Sequence, residues 1–114
     1  MSAQEGIGGY LEMTTPEGFT ERGYRPSEVV KLTEIRNWRV VLEEDPDDHT
    51  CEYGHIYASV TRMPKVLSAW YSGSPMRLIL YMQGKQNLSA EVGIFDTDEV
   101  SKVEFCLMEP VQFN

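Results

Sequence analysis

The sequence lacks any long apolar run. The longest, residues 78–82, is five residues of strand length, whereas a membrane helix needs about 18 or more. Residues 1–21 contain no lysine or arginine, and residues 1–9 carry no apolar segment of signal-peptide type. No secretory leader is therefore expected, and the expected location is cytoplasmic. Gly6, Gly8 and Gly9 make residues 1–9 read as a flexible N-terminal arm before a single globular domain at 10–114. There are only two cysteines, Cys51 and Cys106, and neither lies in a CxxC motif. Two isolated cysteines make no disulfide framework, so they read as reduced thiols, with a single disulfide as the alternative.

Motifs with catalytic mechanics are missing too. GxSxG, HExxH and the Walker A pattern do not occur. The glycines at 6, 8 and 9 neither follow a strand nor precede a Lys-Ser/Thr pair, so they make no phosphate loop. Catalytic residues and cofactors are accordingly not assigned.

What is present is acid and strand pattern. The net charge is −8, and it comes in blocks. Residues 40–61 hold six acids and no lysine or arginine; residues 62–89 hold four bases and no acid; residues 90–114 hold six acids against Lys102. Such a balance opposes direct nucleic-acid binding, which calls for a basic footprint. It favours attraction to a basic protein surface, although acidity also serves solubility alone.

Alternation of apolar and polar residues dominates the second half. Leu88, Ala90, Val92 and Ile94 alternate with Ser89, Glu91, Gly93 and Phe95, and Val103, Phe105 and Leu107 with Lys102, Glu104 and Cys106. With the doubly apolar 78–82 segment they predict a three-stranded antiparallel meander over 76–109. Trp38, Val40 and Leu42, then Ile56, Ala58 and Val60, predict a hairpin over 38–62 with a long acidic tip. Residues 10–15 read as an edge strand. Val29, Leu32 and Ile35 stand at helical spacing behind Ser27, which gives a helix a slight edge over a strand at 28–36. Pro64 before Val66, Leu67 and Trp70 suggests a second short helix or turn at 65–71. The expected fold is mainly β, or α+β: a small antiparallel sandwich or partly open barrel of six or seven strands with one or two short helices.

His49 and His55 bracket Cys51 and raise the idea of a metal site. Along an extended strand, however, positions 49 and 55 lie about 20 Å apart, and no metal is assigned. A Cys–His nucleophile built on Cys51 has no surrounding signature. The better reading is a non-enzymatic acidic protein-binding module that docks on, and inhibits, a basic nucleic-acid-handling partner. Immunity proteins, antitoxins and phage-type antagonists of defence in a bacterial or phage-infected cell do work of this kind. The expected contact residues are Glu43, Glu44, Asp45, Asp47 and Asp48, a second patch of Asp96, Asp98 and Glu99, and Tyr53 and Tyr57 as aromatic anchors. The alternatives are a structural subunit of a phage or multiprotein assembly, which allows a homo-oligomer, and a small-ligand or metal-binding β-barrel. Neither nucleic acid nor membrane is an expected partner.

Overall fold

The computed structural model describes residues 3–14, 28–42, 51–63, 75–82, 87–98 and 101–113. They form seven strands: β1 (Ala3–Thr14), β2 (Val29–Val41), β3 (His55–Val60), β4 (Met76–Leu80), β5 (Leu88–Thr97), β6 (Lys102–Leu107) and β7 (Gln112–Phe113). All pairings are antiparallel. The order is β4-β1-β2-β3-β6-β5, and β4 pairs with β5 as well, closing a six-stranded barrel; β7 extends the sheet from β5. No helix occurs among the described residues, and none of their segments is a helix long and apolar enough to cross a membrane.

Strand alternation builds the core directly. Trp38 and Val40, Ile56 and Val60, Leu78 and Leu80, Leu88 and Val92, and Phe105 and Leu107 all point inward and are buried. The meander over 76–109 and the 38–62 pairing are present as β4–β5–β6 and β2–β3. Residues 43–50 and 65–71, the acidic tip and the second expected helix, lie outside the described residues.

Three local expectations are corrected. Within 28–36, residues 29–36 form strand, not helix. In β2 the pairing with β1 passes from Thr33 to Lys31 over Leu32, and the pairing with β3 from Ile35 to Asn37 over Arg36. Each irregularity shifts the inward phase by one residue. Ile35 and Trp38 can therefore both face the core three positions apart, which imitates helical spacing. Second, β1 is not an edge strand but lies between β4 and β2. Third, residues 3–9 are no loose arm, since they pair with 35–41 along β1. Glycine is needed where β1 meets β4. Gly9 has φ of 148°, and a Cβ there would meet the Ile79 carbonyl oxygen.

The cysteines are also corrected, because Cys51 and Cys106 form a disulfide with Cα atoms 5.3 Å apart. Their separation of 55 residues conceals the pairing. It arises because β3 pairs with β6, setting His55 opposite Cys106, and because a turn returns Cys51 beside them. Within that turn the Gly54 amide donates to the Cys51 carbonyl at 3.0 Å. Closing a loop of this length restricts the unfolded chain by about 4 kcal/mol in the chain-entropy model. Reduction should therefore lower unfolding free energy by about 2–4 kcal/mol, measured by urea denaturation with and without dithiothreitol. Without reductant, the denatured protein should take up no iodoacetamide; two alkylated cysteines would restore the free-thiol reading.

Candidate protein-binding site

The ladder registers assemble outward-facing rows, the longest of which crosses five strands. Glu5 lies opposite Arg39, Arg39 opposite Tyr57, Tyr57 opposite Glu104, and Glu104 opposite Asp96. Two residues along, a parallel row holds Ile7, Asn37, Ser59 and Lys102. The inward row between them contains Gly6, Trp38, Ala58, Val103 and Thr97. These three rows, with Met82 and Asp98, line an open hollow of about 980 Å³. Its charged lining consists of Glu5, Asp96, Asp98 and Glu104 against Arg39 and Lys102.

Aromatic contacts organise one side of the hollow. The Arg39 guanidinium lies over the Tyr57 ring, 4.9 Å from its centroid. His55, two residues back on β3, stacks on Tyr57 with centroids 6.1 Å apart and meets the edge of Phe95 at 5.4 Å. Its Nδ1 lies 3.5 Å from the Glu104 carboxylate. Asp96 and Glu104 are like charges set directly opposite each other, an arrangement that costs stability in an antiparallel pair. The turn beyond them depends on Asp98, whose Oδ1 accepts from the amides of Ser101 at 2.8 Å and Lys102 at 3.1 Å.

Of the residues expected at the site, Tyr57, Asp96 and Asp98 come together here. Tyr53 is exposed but belongs to the turn before β3, outside the hollow. Glu43, Glu44, Asp45, Asp47, Asp48 and Glu99 lie outside the described residues. The chain leaves the sheet at Leu42 and returns at Cys51, beside the His55 end of β3, whereas Val60 at the other end donates its amide to Ser101 in the Asp98 turn. Glu5, Arg39, Glu104 and Phe95 were missed, because only the registers of four ladders bring them beside Tyr57.

The metal idea loses a ligand, since the Cys51 sulfur is bonded to Cys106. His49 lies outside the described residues, among which no group of three metal-capable side chains occurs. In comparisons with known proteins, the chain matches no family model, no characterised protein and no solved structure.

The floor of the hollow rests on Trp38. Its indole N–H donates to the Gly8 carbonyl at 3.1 Å, and its ring lies where a Cβ on Gly6 would stand. A Gly6→Ala substitution should displace the ring, costing about 1–3 kcal/mol by overpacking. In a Trp70→Phe background, a red shift of Trp38 fluorescence would report this; unchanged emission and stability would contradict the packing.

Proposed function

We propose that this protein is a non-enzymatic binding module that docks on a basic surface of a protein partner and blocks it. The observation that carries the reading is the hollow, where four carboxylates and the exposed Tyr57 ring share one lining with only two cations. The net charge of −8 supplies long-range attraction in the same sense. An exposed aromatic ring beside charge is the anatomy of a protein contact. The opposed Asp96 and Glu104 carboxylates are relieved when a cation is placed between them. A nucleic-acid-handling protein suits the role of target, because a carboxylate array can occupy a groove made for phosphates. A cytoplasmic setting in a bacterial or phage-infected cell belongs to this proposal.

An arginine-rich peptide, titrated by calorimetry at physiological salt, tests it. Neutralising the hollow with Glu5→Gln, Asp96→Asn and Glu104→Gln should weaken binding about tenfold, equivalent to about 1.4 kcal/mol. The control removes the same charge from exposed acids outside the hollow, with Glu28→Gln, Glu34→Gln and Glu52→Gln; it should change affinity much less. Equal losses in the two variants would mean that only net charge matters and would refute the site.

A further inference from the structure

Phe95 is a large apolar residue that the barrel does not use. It sits at an irregularity in the β5–β6 ladder, where pairing passes from Ile94 opposite Phe105 to Asp96 opposite Glu104. Phe95, outward by alternation, is left unpaired with β6 at the shift and is 46% exposed. Its ring meets His55, which stacks on Tyr57, which in turn carries the Arg39 guanidinium. The outer surface thus bears two exposed rings, Phe95 and Tyr57, joined through the buried His55 ring and standing beside Asp96 and Glu104. Carboxylates on a wet surface give attraction but little net affinity, because ion pairing there nearly cancels against lost hydration and side-chain freedom. Apolar rings rimmed by charge can shed water and hold an anchor.

We infer that the partner segment is amphipathic, and this rests on the binding function proposed above. It seats one large apolar side chain on the exposed Phe95 ring, which the buried His55 backs, and places flanking arginines against Asp96 and Glu104. Charge complementarity selects the cation, and the Arg39–Tyr57 contact shows a guanidinium already stacking on this surface. Arginine is favoured over lysine because its planar head can stack and pair with carboxylate together.

Two synthetic peptides of equal length and charge test the inference, one alternating arginine with leucine and the other arginine with serine. At physiological salt, the intact protein should bind the arginine–leucine peptide at least about tenfold more tightly. A Phe95→Ser variant, shown by circular dichroism to be folded, should lose that preference and keep its affinity for the arginine–serine peptide. Equal affinity of the intact protein for both peptides, or a preference that survives Phe95→Ser, would overturn the amphipathic partner and leave the acidic docking reading standing. If neither peptide binds, or if neutralising Glu5, Asp96 and Glu104 leaves arginine–serine binding unchanged, both readings fall.

Discussion

The outward rows of the described strands depend on one short strand being paired on both sides. β4 is five residues long, yet it hydrogen-bonds to β1 through one edge and to β5 through the other. That double pairing closes the sheet, and a closed sheet has one interior. Met76, Leu78 and Leu80 then complete the wall of side chains around Phe105 and Leu11. Once the interior is defined, a one-residue slip would bring charge inward, so the registers of the other ladders are constrained as well. The row from Glu5 to Asp96 follows from that constraint.

Regular pairing would bury every second residue of the long strands without interruption. The structure departs from this in β2 and near the end of β5. In β2 the irregularities let a 13-residue strand curve around the barrel while Ile35, Trp38 and Val40 stay inside. In β5 alternation already points Phe95 outward, and the irregularity brings Asp96 outward as well, against Glu104. The first departure serves the core. The second leaves a half-exposed ring against His55 and two opposed carboxylates, one of them beside the His55 imidazole.

The opposite end of the β3–β6 pair is held covalently. The disulfide joins the turn before β3 to β6, while the Leu107 amide donates to Gly54 beside it at 3.0 Å. Across the sheet, Glu109 accepts from Arg77 and from the Glu91 amide, both at 3.0 Å, and Arg77 donates to Ser89 at 2.9 Å. These contacts tie the segment after β6 to β4 and β5.

The sequence by itself determined which residues face inward. The alternations at Ile56, Ala58 and Val60, at Leu88, Ala90 and Val92, and at Val103, Phe105 and Leu107 were readable because side-chain direction in a strand has a period of two and needs only neighbours. The meander over 76–109 was legible for the same reason, since its turns are short and local. Tertiary structure alone decided the rest. Whether β4 also meets β1, whether Cys51 reaches Cys106, and whether Glu5 shares a row with Asp96 depend on partners tens of residues away. The misleading spacing of Val29, Leu32 and Ile35 has a related cause. An irregular strand shifts its phase to suit the neighbours it pairs with, and those neighbours lie beyond any local window.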